Sequence, residues 1–178
     1  MHIQAAMTHT VDMAAGTQIS VEEYLKTVYR PDRDYVDGVV QERNLGEWDH
    51  SSVQTQFVIF FSKFRHTGLR AVTELRMRVR ENKYRIPDVV VTAGKPQEQV
   101  LTKSPLLCIE ILSKGDTVSQ TNERVRDYLD FGVPVVWVVD PAERALWIYR
   151  PTGMEQAVGP TIKLDGTSIE VPFSEIFD

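Results

Sequence analysis

Apolar and polar positions recur along the chain with a changing period, and that period assigns the elements. Ser20, followed three residues later by Glu23, forms a capping-box pattern that predicts a short helix over Val21 to Val28, stopped near Pro31. Asp34 to Arg43 divides around Asp37-Gly38, a dipeptide suited to the positive dihedral angles of a type I′ turn, and predicts a hairpin. Val53, Phe57, Phe60, Phe61 and Phe64 recur at helical spacing, so Asp49 to His66 reads as a core helix capped by Asp49 and stopped by Gly68. From Leu69 to Arg80 the period becomes two. Leu69, Ala71, Thr73, Leu75, Met77 and Val79 alternate with Glu74, Arg76, Arg78 and Arg80, the pattern of one long strand buried on one face.

Ile86 to Ala93 and Leu106 to Leu112 are aliphatic runs too short for ordinary helices and read as strands buried on both faces. Asp116 is the expected cap of a helix through Phe131, with Val118, Val125, Tyr128 and Leu129 on one face and Gly132 closing it. Val133 to Asp140 and Ala145 to Arg150 follow as strands joined across Pro141, and Ile162 to Val171 as a weaker one. Helices interleaved with strands in this order predict a mixed sheet flanked by helices, an α/β or α+β fold.

The 178 residues suit one domain. We assign it to residues 17–178, with residues 1–16 expected as a flexible lead-in that lacks the pattern of a signal peptide. With 42% hydrophobic and 25% charged residues the composition is that of a globular protein. No apolar run approaches the roughly 18 residues of a spanning helix, so no membrane partner is expected. The lone Cys108 lies in an apolar run, which gives no support for an oxidising compartment and makes a cytoplasmic setting the expectation. The net charge of -5 supplies no global field that draws the protein onto nucleic acid, so phosphate binding has to be local or carried by a metal. Arg76, Arg78, Arg80, Lys83 and Arg85 form the local basic cluster, with three arginines expected in a row on one strand face.

Two of the apolar strands each carry one carboxylate, Asp88 and Glu110. Taking such a charge out of water costs several kcal/mol unless it is paired or bound to a metal. On strand phase Asp88 shares a face with Ile86 and Val90, and Glu110 with Cys108 and Leu112. Neighbouring strands in register therefore bring both acids to one point. Either they join the backbone carbonyl of Ile111 and waters in the hard oxygen shell that Mg²⁺ or Mn²⁺ prefers, or each pairs with an arginine. Arg85, Arg76 and Arg78 are the nearest candidates in sequence. The absence of a Cys/His cluster disfavours zinc.

Four segments carry a family resemblance: Tyr84-Arg85-Ile86-Pro87-Asp88-Val89-Val90-Val91, Pro105-Leu106-Leu107-Cys108-Ile109-Glu110-Ile111-Leu112-Ser113, Tyr128-Leu129-Asp130-Phe131-Gly132-Val133 and Val136-Trp137-Val138-Val139-Asp140-Pro141. In this order they resemble the Uma2 family of the PD-(D/E)XK nuclease superfamily. The upstream Asp34-Tyr35-Val36-Asp37-Gly38 and Arg43-Asn44-x-Gly46-Glu47-x-x-His50 resemble it too, with Asp34 standing where a glutamate is common. The resemblance implies a restriction endonuclease-like core of order αβββαβ, preceded here by a helix and a hairpin, and the periodicity from Asp49 to Asp140 gives the same order independently. It also implies that Asp88 and Glu110 are the metal ligands of a Mg²⁺- or Mn²⁺-dependent endonuclease.

The superfamily's lysine, two residues after the second acid, is Leu112 here. Relatives that supply it from the following helix do so four residues before the tyrosine, where this chain has Arg124, which can stabilise charge on phosphate but cannot act as a base. Lys114 is the nearest ammonium. His50 could orient a water, touch metal or phosphate, or merely sit at a helix start. Glu42 and Glu74 are further acids expected chiefly at the surface. The expected function is metal-assisted hydrolysis of a phosphodiester, with DNA as the nucleic-acid partner. The rival readings are a catalytically silent nuclease-fold module that binds nucleic acid or protein, and a small-molecule hydrolase, which needs a closed pocket. Trp137, Trp147 and Phe173 are the candidate contacts of a homodimer, or else belong to the core.

Overall fold

A computed structural model describes residues 18–44 and 46–177; the expected lead-in at 1–16 lies outside them. Among the described residues the α-helices are α1 (Val21–Lys26), α2 (Trp48–Ser62) and α3 (Val118–Asp130). The strands are β1 (Asp34–Val36), β2 (Val39–Gln41), β3 (Leu69–Thr73), β4 (Met77–Arg80), β5 (Lys83–Arg85), β6 (Val89–Ala93), β7 (Leu107–Ile111), β8 (Val136–Asp140), β9 (Ala145–Arg150), β10 (Gly153–Gln156), β11 (Thr161–Lys163) and β12 (Glu170–Pro172). The series α2-β3-β6-β7-α3-β8 is the expected αβββαβ core, so the mixed α+β fold is as read from the sequence.

The main sheet runs β10-β9-β8-β7-β6-β3 and is antiparallel except between β7 and β8, which α3 connects. Its two faces bury different residues. Val89, Val91, Leu107, Ile109 and Trp137 meet Val53, Phe57, Phe60 and Phe61 of α2, while Val90, Cys108, Val136 and Val138 meet Val125 and Tyr128 of α3 and Met77 and Val79 of β4. This is period-two strand geometry with both faces covered, which is why the central strands contain almost no polar residues. Among the described residues no helix is long and apolar enough to cross a membrane.

A second sheet, β2-β1-β5-β4, packs beside α3, with β4 against the same face of the main sheet. The Asp37-Gly38 hairpin is present as expected, with φ 47 and 96 at the two turn residues. The first helix is shorter than predicted, and Ser20 Oγ caps it by accepting from the Glu23 amide.

Several expectations need correction. The long strand from Leu69 to Arg80 is two strands in different sheets. Glu74 takes a left-handed conformation (φ 51) and its amide bonds to the Asp88 carbonyl, ending β3 where it leaves β6. Alternation continues through the break because both strands have one covered face, so periodicity alone could not reveal it. The arginine row shortens accordingly: Arg78 and Arg80 are exposed on β4, whereas Arg76 turns onto Asp32 and over the Tyr24 ring, 4.9 Å from its centroid. The strand expected from Ile86 begins instead at Val89 as β6, and Ile86-Pro87-Asp88 links it to the preceding β5. Helix α2 begins at Trp48 after Glu47 rather than with Asp49 as cap. Helix α3 is capped by Thr117 in a capping box with Gln120, not by Asp116, and Val118 is exposed. The weak strand from Ile162 is a hairpin, β11-β12, and the edge strand β10 was not foreseen.

Trp137 is no dimer contact. It is fully buried against Phe57 and Phe61, at centroid distances of 6.1 and 6.3 Å, while Trp147 and Phe173 pack half-buried on the two halves of the core.

A buried ion network ties α3 to the second sheet. Lys83 Nζ and Arg85 Nε donate to Asp127 at 3.0 and 2.8 Å, Arg85 Nη2 donates to Glu123 at 2.7 Å, and Arg85 Nη1 donates to Asp34 at 2.8 Å. Removing Asp127 takes a shared carboxylate from Lys83 and Arg85 and leaves the buried Lys83 ammonium, among the described residues, to the half-exposed Glu123 at 3.2 Å. Asp127→Ala is therefore expected to cost about 3–5 kcal/mol in urea unfolding, against roughly 0.5 kcal/mol or less for the exposed control Asp130→Ala. Equal midpoints for the two variants would remove this network from the account of stability.

Candidate active site

Strand register brings the two acids together. In the antiparallel β6-β7 pair Val90 lies opposite Cys108 and Val89 opposite Ile109. One further step along the same register sets Asp88, just before β6, across from Glu110 in β7. Both are buried, and both line one polar cleft of about 90 Å³. Asp88 is fixed at its carbonyl by Gln54 Nε2 of α2 (2.9 Å) and at Oδ2 by the Ile111 amide (2.7 Å). Ile111 thus meets Asp88 through its N–H, and its residue lines the same cleft.

Each carboxylate is paired with an arginine, but not with the ones nearest in sequence. Arg43, on the chain between β2 and α2, donates from Nη2 to Asp88 Oδ1 at 2.5 Å. Arg124, from α3, places Nε 2.7 Å from Glu110 Oε2, and Tyr128 Oη donates to Glu110 Oε1 at 2.6 Å. Arg85 and Arg76 serve Asp34, Asp127 and Asp32 instead, and Arg78 is exposed. Sequence proximity misled because β5 and β4 belong to the second sheet.

His50, in the first turn of α2, sets Nε2 3.4 Å from Asp88 Oδ2. Its buried Nδ1 has no hydrogen-bond partner among the described residues. Gly46 lies close over this ring: a Cβ there would come within 3.3 Å of Nδ1 and 3.1 Å of Ser51 Oγ, so a side chain at 46 would press on the histidine. Five of the six expected site residues therefore converge: Asp88, Glu110, Ile111, Arg124 and His50. Lys114 does not; its ammonium is exposed and paired with Glu47 at 3.0 Å. Glu42 lines the cleft but is mostly exposed and pairs with Arg33, and Glu74 ends β3 away from the cleft.

The sequence reading gave no role to Arg43 or to Tyr128, and it took Asp116 for a helix cap. Asp116 instead bridges the loop and the helix, accepting from the Ser113 amide at 2.9 Å and from Arg124 Nη2 at 3.0 Å. The one available signal for Tyr128 was a hydroxyl on the apolar face of a helix, which needs a partner once buried.

The electrostatics separate the two acids. For Asp88, burial raises the pKa, but the His50 contact and the Arg43 charge outweigh it and hold the carboxyl below the ordinary carboxylate value. For Glu110, burial dominates over Arg124, and with Asp88 alongside the carboxyl is pushed up to about 7. His50 is desolvated, which lowers its pKa, yet the Asp88 carboxylate more than compensates and raises it. One acid is thus firmly ionised and its neighbour holds a proton easily, the division expected when two carboxylates share a site.

The donor chemistry suits a hard divalent cation in part. An ionised carboxylate offers about four lone-pair sites, and the donors described here leave some of them open on both acids. Among the described residues, however, no three His, Cys, Asp or Glu side chains gather into a ready metal cluster.

Comparison with known proteins gives the family. A search of curated proteins found no match. Among solved structures, one described as "a putative nuclease belonging to DUF820", from Anabaena variabilis ATCC 29413, superposes with a TM-score of 0.76 at 22% identity, over 89% of this chain and 97% of that one, which shows the fold. The cryo-EM structure of a DrdV-DNA complex shares 17% identity over 70% of this chain and 10% of that one, at a TM-score of 0.41, too slight a likeness to bear on the argument. The family Uma2, "Putative restriction endonuclease", matches residues 21–173. That span is most of the chain, and the chain accordingly belongs to the Uma2 family.

Proposed function

We propose that the protein is a Mg²⁺- or Mn²⁺-dependent endonuclease that hydrolyses phosphodiester bonds of DNA. The observation that carries this reading is the pairing of Asp88 and Glu110 across the β6-β7 register in one polar cleft, within a restriction endonuclease family. Asp88 and Glu110 would hold the cation, with the Ile111 carbonyl as a further oxygen donor. When bound, the cation would lower the pKa of a water and offset charge on the phosphate.

The chain's own residues supply the rest. Arg124 and Tyr128 orient Glu110, and the Ile111 amide and Gln54 orient Asp88. Arg43 and Arg124 are the cations lining the cleft, placed to stabilise negative charge on phosphate but unable to take a proton. Proton handling falls to His50, which Asp88 keeps protonated to higher pH than a free histidine. Lys114, outside the cleft, receives no role. The single cysteine is buried beside Met77 and needs no oxidising compartment, in keeping with a cytoplasmic protein.

A second reading is favoured by a specific observation. Both acids are already neutralised by guanidinium groups and, among the described residues, no lysine lines the cleft, the arrangement expected of a silent nuclease-fold module in which the acids are structural. Cleavage of plasmid and single-stranded substrates separates the two. Wild type with Mg²⁺ or Mn²⁺ is expected to cut, and Asp88→Ala and Glu110→Ala to lose about a hundredfold or more while retaining the far-UV spectrum of the fold. Unimpaired cutting by both variants sinks their assignment as ligands. Absence of cutting by wild type on every substrate favours the silent module.

The raised pKa of Glu110 makes a separate prediction. Its folded value, about 7, exceeds the ordinary 4.5, so the folded state binds the proton more tightly. The resulting stability is present below about pH 4.5 and is lost as pH rises through about 7. Relative to Glu110→Gln, wild type should lose stability over that window, by up to about 3 kcal/mol. Denaturant unfolding of both proteins across the window checks this; a constant difference between them contradicts it.

A further inference from the structure

We propose that Arg43 is an exchangeable counter-ion of Asp88, neutralising the buried carboxylate in the absence of a divalent cation and giving up its place when one binds. The inference rests on the reading of Asp88 and Glu110 as the cation-binding pair.

The two arginines at the site are held in different ways. Arg124 lies within α3 and has two carboxylate partners, Glu110 at 2.7 Å from Nε and Asp116 at 3.0 Å from Nη2. Arg43 lies outside any helix or strand, and among the described residues Asp88 is its ion-pair partner, through Nη2 alone. A guanidinium carries five N–H donors, so a single bond fixes it loosely. The side chain is 17% exposed and lines the cleft, which leaves it a route outward. Asp88 itself is held independently of Arg43. Its Oδ2 accepts from the Ile111 amide and its carbonyl from Gln54, so departure of the arginine would vacate Oδ1 without releasing the carboxylate.

Charge gives the direction of the exchange. The acids lining the cleft, Asp34, Glu42, Asp88, Glu110 and Asp116, face the guanidinium groups of Arg43 and Arg124; with Arg43 withdrawn the same cleft is one charge more negative. A dication is drawn more strongly to the second arrangement, and it gains a hard oxygen donor that the arginine had covered. The displaced guanidinium, with its donors open, would remain near the cleft for a phosphate oxygen.

Mn²⁺ binding, read from the EPR signal of the free ion, tests the exchange in wild type, Arg43→Met and the double variant Arg43→Met/Asp88→Asn. Arg43→Met is expected to bind Mn²⁺ on the order of tenfold more tightly than wild type, and the double variant to lose that gain. Equal or weaker binding by Arg43→Met overturns the proposal. Because that variant leaves a buried carboxylate unpaired and its folding could suffer, wild type gives a second test. In NMR of ¹⁵N-guanidinium and ¹³C-carboxyl groups during a Mg²⁺ titration, the Arg43 Nε and Asp88 carboxyl signals are expected to move with one midpoint. Movement of Asp88 with Arg43 unmoved overturns the exchange and leaves the cation reading intact. If neither moves up to millimolar Mg²⁺, both fall.

Discussion

The site depends on one electrostatic constraint: two carboxylates buried side by side at the paired ends of β6 and β7. Water no longer solvates them, so each has to be matched by donors from the protein or lose its charge. The surrounding elements supply those donors from four directions. The chain after the first hairpin brings Arg43, the first turns of α2 bring His50 and Gln54, β7 offers its Ile111 amide, and α3 contributes the Tyr128 hydroxyl together with the charge of Arg124. Where this matching is strong, at Asp88, the carboxyl is held below its ordinary value; where it is weaker, at Glu110, burial wins and the proton is retained near neutrality.

Helix α3 links this constraint to the second sheet. Val125 and Tyr128 face the main sheet, Arg124 and Tyr128 reach Glu110, and Glu123 and Asp127 hold Lys83 and Arg85 of β5. Arg85 in turn holds Asp34, whose other oxygen accepts from the Ile86 amide two residues before Asp88. The second network thus approaches the site from both ends, through the helix that positions Glu110's partners and through the segment leading into Asp88. Its cost in desolvation is returned as position, the use for which buried ion pairs are best attested.

Residue periods made most of this legible in the sequence. The core order, the Asp37-Gly38 hairpin and the face on which Asp88 and Glu110 lie follow from rules local to a strand or turn, and the pairing of β6 with β7 completes their convergence. The phase that grouped Asp88 with Val90 and Glu110 with Cys108 held because Val90 and Cys108 are cross-strand partners. What failed was information about which sheet a strand joins. The alternation from Leu69 to Arg80 runs unbroken through Glu74, since a strand with one covered face reads alike in either sheet. The same gap hid the arginine partners: Arg43 is separated from Asp88 by 45 positions, and the family-like segment it opens does not say which acid it meets.

Leu112 shows how the chain departs from the superfamily pattern at no evident cost to the fold. The position that elsewhere carries the lysine is a leucine packed, partly buried, on the α3 side of the sheet, its amide bonded to the Val139 carbonyl. A lysine there would add a third cation beside Arg124, whose guanidinium already spans Glu110 and Asp116. Here the cations beside the two acids come from the helix and the hairpin connection, as Arg124 and Arg43. Their chemistry differs from a lysine's, because a guanidinium holds its proton at every accessible pH whereas an ammonium near a cation can release one. Any proton transfer at this cleft is therefore left to His50 or to Glu110, the two groups whose ordinary or shifted values lie nearest neutrality.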